Sequence, residues 1–237
     1  MNSENITLAT RIGGYTAIVG ALCAITGAAL WVGSGTDMDR SLVEGDMASY
    51  LASAGQSSGL LIANLTIWIV MAFLMGIAAT CMASLCLARQ VLARIAIYCY
   101  AVGVPILLTA YVAWLAIITQ LAPEPSPISV QIAGTVGWFS SRAVWIASIL
   151  GVGIGPLMLA LAGRDEWAPR WLVRWSYLTV VAAMLNAAAM LTGGQGLSTY
   201  GFLIIPVGVG WMLAAGVALL RRLRVTTTVG QPVEASA

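Results

Sequence analysis

Ile128–Gly163 reads ISVQIAGTVGWFSSRAVWIASILGVGIGPLMLALAG, with one charge, Arg142, near its middle. A membrane-crossing helix needs about 20 apolar residues to span roughly 30 Å of hydrocarbon. As one helix at about 1.5 Å per residue, this run would reach roughly 54 Å, so it cannot all be a simple span. Counting back about 20 residues from the flank at Arg164 puts the span at Ala143–Gly163. Arg142 then sits at the outer mouth. The preceding part, 128–141, either lies on the outer surface, folds back into the bundle, or lengthens the helix outward. Trp138, Arg142 and Trp145 are spaced i, i+4, i+7 and share one helix face, with Ser141 and Ser148 beside it.

The rest of the chain has the same character. Its 237 residues are 60% hydrophobic and 8% charged, and its mean hydropathy is +0.92. Soluble domains carry about 25% charged residues, so the deficit alone places the chain in a membrane. All eleven cations are Arg, with no Lys and no His. That removes the lysine Schiff base, the lysine of a phosphate loop, and imidazole as proton carrier or metal ligand. The four cysteines, Cys23, Cys81, Cys86 and Cys99, fall in apolar runs without metal-site spacing and read as small core residues. No metal, cofactor or nucleic-acid partner is expected.

Six spans are predicted, at about 12–32, 60–86, 95–118, 143–163, 175–191 and 199–220, in one all-α domain over 1–224 with a disordered tail, 225–237. The first apolar run is long for a signal-peptide core and is read as a retained helix. Its Gly20, Ala24 and Ala28 form a stripe of small residues suited to close helix contact. Between the first two spans, Ser41 and Glu44 fit a capping box that opens an amphipathic helix over 41–54. Pro123, Pro125 and Pro127 make a rigid turn before the fourth segment. With both termini cytoplasmic, nine arginines fall inside and only Arg40 and Arg142 outside, a strong positive-inside bias. The 41–54 helix is then extracytoplasmic.

Polar residues within the spans collect in the outer half, interleaved with large aromatics. They should face the bundle interior or trapped water, because facing lipid is costly. The expected site is an outward-facing pocket whose binding residues are Asn64, Trp68, Tyr111, Trp114, Trp138, Arg142, Trp145, Asn186 and Tyr200. The competing reading is ordinary interhelical hydrogen bonding. Arg142 either pairs with an outer acid such as Asp46 or Glu124, or binds an anionic group between Trp138 and Trp145. No acid lies inside an apolar core, which argues against proton-coupled transport.

Arg11-Ile12-Gly13-Gly14 and Ala168-Pro169-Arg170-Trp171-Leu172-Val173-Arg174, on this six-helix layout, resemble a family of bacterial multi-pass membrane proteins; the resemblance implies a bacterial cell membrane and no reaction. By size and helix count the chain is also similar to membrane-bound isoprenoid cyclases, which protonate an olefin with a carboxylic acid, although their acidic motif is not found here. Carbocation chemistry needs one protonated acid and aromatic faces, both compatible with this inventory. The candidate acids are Asp39, Glu44 and Asp46. Glu44 has a capping role in hand and Asp39 can cap a helix, which makes Asp46 the first choice. The expected function is therefore an acid-catalysed enzyme, cyclase or isomerase in type, acting on an isoprenoid or lipid-like small molecule. A non-catalytic accessory or lipid-binding subunit is the alternative, and a passive transporter the third.

Overall fold

In the computed structural model, which describes residues 2–191 and 197–229 with side chains for 2–189, 203 and 205–223, the helix boundaries follow local chemistry. Helix α1 (Ser3–Ser34) starts where the Asn2 side chain accepts the Asn5 N–H at 2.9 Å. It stops at Gly35, whose φ of +67° suits glycine. Helix α2 (Met38–Glu44) is capped by Asp37 and ends at Gly45, φ +72°. Helix α3 (Met47–Gln56) follows, then α4 (Ser58–Ser84) and α5 (Gln90–Ala116), which ends in a π-helical turn at Ile117–Leu121. A Ser126–Ser129 capping box opens α6 (Pro127–Ser148). A second π-helical stretch, Ile149–Ile154, joins it to α7 (Gly155–Ala162). Helices α8 (Arg170–Leu191) and α9 (Leu197–Val229) complete the chain. There is no strand among the described residues.

Six helical runs among the described residues are long and apolar enough to cross a membrane: Ser3–Ser34, Ser58–Ser84, Gln90–Leu121, Pro127–Ala162, Arg170–Ala189 and Ile205–Leu223. Their burial is inverted relative to a water-soluble bundle. Phe73, Val112 and Leu178 are more than half exposed, while Asn64, Ser140, Ser176, Thr179 and Asn186 are fully buried. Apolar side chains meet lipid at no cost, whereas polar ones must find partners inside.

One open choice is resolved and two expectations need correction. Of the three alternatives for 128–141, the structure shows the helix extension. The stretch lengthens the fourth run into one 36-residue helical segment, because α2 and α3 pack against its extra turns, Met38 beside Gly137 and Met47 beside Gly134. The helix expected over 41–54 is two helices, broken at Gly45. Its capping box does not form: Ser41 donates to the Asp37 carbonyl at 3.0 Å and Glu44 pairs with Arg40 at 2.8 Å. Helix α9 runs to Val229, past the expected start of the tail at 225. Residues 230–237 lie outside the described residues.

Chain order puts the two ends of the bundle in different hands. One end is covered by α2 and α3. At the other, the 85–89 and 163–169 turns are clipped together. Glu166 accepts the Leu87 and Ala88 N–H groups, both at 2.8 Å, and Arg89 pairs with Asp165 at 2.5 Å. Along the bundle, α1 lies against α4 through Gly13, Gly20 and Gly27, seven residues apart and facing Cys81, Leu74 and Trp68. This stripe includes the expected Gly20 and the buried Ala24, but Ala28 stands only half-buried beside it.

Candidate functional site

The seven-residue helix α2 crosses the end of the bundle. Asp37 turns back to cap it, accepting the Arg40 N–H at 3.0 Å. Two residues later, Asp39 faces the opposite way, into the bundle. Its Oδ1 accepts the Ser141 hydroxyl and its Oδ2 accepts the Trp145 indole N–H at 3.2 Å. Ser141 in turn accepts from the Arg142 guanidinium at 2.8 Å, and that guanidinium lies 5.1 Å from the centre of the Trp138 ring. The order of contacts is thus Trp138, Arg142, Ser141, Asp39, Trp145. The Asp39 side chain is half-buried, and the desolvation of its carboxyl pushes its pKa above the ordinary value of 3.8. The Ser141 hydrogen bond opposes the shift, the Asp37 charge adds to it, and Trp145 and Arg142 oppose it more weakly.

Beneath this cluster lies a cavity of about 120 Å³. Asp37, Asp39, Trp31, Trp114 and Ser141 line it toward α2. Trp68, Tyr111, Trp145 and Ser148 form its middle, and Met71, Met75, Val152 and Val209 lie deeper. Trp68 and Tyr111 stack at 5.5 Å with an interplanar angle of 30°. Trp68 is held from behind by its N–H on the Ala24 carbonyl, 3.4 Å, and Trp114 by its N–H on the Tyr50 hydroxyl, 2.7 Å.

No protein-family model, curated protein or solved structure matches the chain. The site therefore rests on its own geometry.

Of the expected binding residues, Trp68, Tyr111, Trp114 and Trp145 converge on the cavity. Trp138 does not; it is 57% exposed and carries Arg142 on its ring. The pairing of Arg142 with Asp46 or Glu124 does not form among the described residues; the acid nearest in the hydrogen-bond chain is Asp39. Asn64 is buried but lies outside the lining, donating to the Gly27 carbonyl at 2.7 Å to tie α4 to α1. Asn186 is also fully buried outside the lining, and neither end of its amide has a hydrogen-bond partner among the described residues. The Tyr200 side chain lies outside the described residues. Of the expected acids, Asp46 is exposed and caps α3, accepting the Ser49 N–H at 3.2 Å, while Glu44 is held by Arg40 in an exposed pair. Asp39 alone of the three lines the cavity.

Trp31 and Asp37 had no place in the expected pocket, although Trp31 ends the first span and Asp37 stands two residues from Asp39. The Tyr50–Trp114 hydrogen bond seats α3 on α5. Trp114→Phe keeps the ring but removes the donor from a buried hydroxyl, at a cost of about 1–2 kcal/mol. Hydrogen exchange should show faster exchange in α3 with α5 unchanged.

Proposed function

We propose that the protein takes a hydrophobic small molecule, isoprenoid or lipid-like, into the aromatic cavity, where Asp39 serves as general acid. The observation that carries this reading is the Asp39 carboxyl at the cavity wall, held by Ser141 and Trp145 and biased toward its protonated form by burial. In the reaction the Asp39 proton adds to one alkene carbon, forming a C–H bond, and positive charge appears on the neighbouring carbon. The aspartate left behind is stabilised by the Ser141 hydroxyl and the Trp145 N–H, and the cation by the aromatic walls. Return of a proton from an adjacent carbon to the carboxylate leaves a shifted double bond. These residues call for no cofactor in that cycle.

The cavity volume favours one of the two reaction types. A cavity of about 150 Å³ holds one benzene, so about 120 Å³ accepts one isoprene unit or small ring, not a folded polyene. Isomerisation at a chain end is favoured over cyclisation of a long chain. We read the arginine-rich end as cytoplasmic and the α2–α3 end as extracytoplasmic, on the positive-inside bias, in a bacterial cell membrane as the resemblance implies. A second reading, a lipid-binding subunit, is favoured by the groove between the start of α8 and the end of α9, where Trp171, Trp175 and Arg221 line an open space of about 690 Å³.

Thermal unfolding in detergent with short isoprenoid alcohols tests the reading. A ligand at a hundred times its Kd stabilises by about 2.7 kcal/mol. Ser148→Leu, which grows a side chain into the cavity while losing only a bond to its own helix, is expected to show no such shift. Equal shifts in both proteins, or none in either, would count against the cavity.

A further inference from the structure

We propose that the cavity is selective for a compact organic cation, a quaternary ammonium or similar head on a small or lipid-like molecule, held by the aromatic walls and paired with Asp39. This rests on the cavity being a binding site and names what it prefers. The hydrogen-bond geometry favours positive charge. The positive edge of an indole is its N–H, and of the four lining indoles three are already used: Trp68 on the Ala24 carbonyl, Trp114 on Tyr50, and Trp145 on Asp39 itself. The serine donors are used as well, Ser141 on Asp39 and Ser148 on the Val144 carbonyl. An anion entering here would meet the Tyr111 hydroxyl as a remaining donor, but against it stand two carboxylates, Asp37 and Asp39, in the wall.

A cation finds the reverse. Aromatic rings carry negative potential on their faces and bind quaternary ammonium groups when several surround one space. No lysine or arginine lines the cavity among the described residues. Arg142, the nearest cation in the contact chain, is turned onto Ser141 and Trp138. The size also fits, since about 120 Å³ is of the order of a single benzene site and a trimethylammonium group is compact. A carbocation and an ammonium ion present the same demand to the aromatic walls, but they meet Asp39 in different states: the empty site favours the neutral acid, and a bound cation beside the carboxyl draws its proton off and pairs with the carboxylate.

Choline and its neutral isostere 3,3-dimethylbutan-1-ol differ in one atom and one charge, and they separate the outcomes. Tryptophan fluorescence of the detergent-purified protein, titrated with each, is expected to show choline binding at least about tenfold more tightly at neutral pH. Asp39→Asn is expected to reduce that ratio several-fold. Lowering the pH does the same, because protonating Asp39 removes the counter-charge; Asp37, Arg142, Tyr50 and Tyr111 are the other charged or titratable groups around it. Equal or tighter binding of the neutral alcohol overturns the cation preference and leaves the cavity standing. No response to either compound overturns both.

Discussion

On the proposed acid role, Asp39→Asn is expected to lose about a hundredfold or more in turnover and to keep a folded protein at least as stable as the parent at neutral pH. The first figure is the lower end of what a positioned general acid contributes; asparagine has nearly the same shape but no proton to give. The stability follows from linkage. Burial raises the Asp39 pKa, so folding favours the neutral acid. The stabilisation associated with that group is fully present below the ordinary carboxylate pKa and is lost as pH rises through the raised, folded-state value. Asparagine stays neutral throughout. Parent and variant should therefore unfold alike in acid and diverge as pH rises, the variant becoming the more stable. Thermal unfolding of both proteins across this range, with a turnover assay on the substrate once found, checks the pair of effects. Asp46→Asn is the contrast: on the same proposal it is expected to retain turnover, because Asp46 caps an exposed helix start.

Gly27→Ala costs about 1–3 kcal/mol, the usual penalty of forcing a methyl into filled space, and abolishes binding in the cavity. At Gly27 a new Cβ runs into the indole of Trp68, which has little room to yield. Trp68 is stacked on Tyr111 and anchored to α1 through Ala24, and the adjacent Asn64 is bonded to the Gly27 carbonyl. Displacing that ring removes one wall of the cavity. Gly33→Ala, six residues nearer the helix end and with nothing within 4 Å of a new Cβ, is expected to leave binding intact and not to lower stability. Unfolding in detergent, followed by tryptophan fluorescence, compares the two.

The periodicity and length of the apolar runs carried the six spans, because each run must satisfy its own backbone in lipid. The aromatic half of the site was legible for the same reason. Trp68, Tyr111, Trp114 and Trp145 lie beside polar residues at one depth, and helices that cross together bring equal depths together. Which way a residue faces was less accessible. Trp138 and Trp145 share a helix face but stand about 10 Å apart along the axis, so one lines the cavity and the other overhangs it. Asn64 and Asn186 are both buried away from the cavity lining, Asn64 bonded to the Gly27 carbonyl and Asn186 without a hydrogen-bond partner among the described residues. The acid was misplaced by a local ambiguity. Ser41 and Glu44 match a capping box, yet the helix already starts at Met38 because Asp37 caps it, and Gly45 then opens a second helix that takes Asp46 as its cap. Only the packing of a seven-residue helix against Ser141 and Trp145 distinguishes Asp39, and no local pattern encodes that contact.

Native mass spectrometry of the detergent-purified protein beside Ser148→Leu asks whether the space under α2 holds a guest. The expected result is a small apolar or ammonium-bearing molecule carried by the parent and absent from the variant. The same bound masses on both proteins, or none on either, would contradict it.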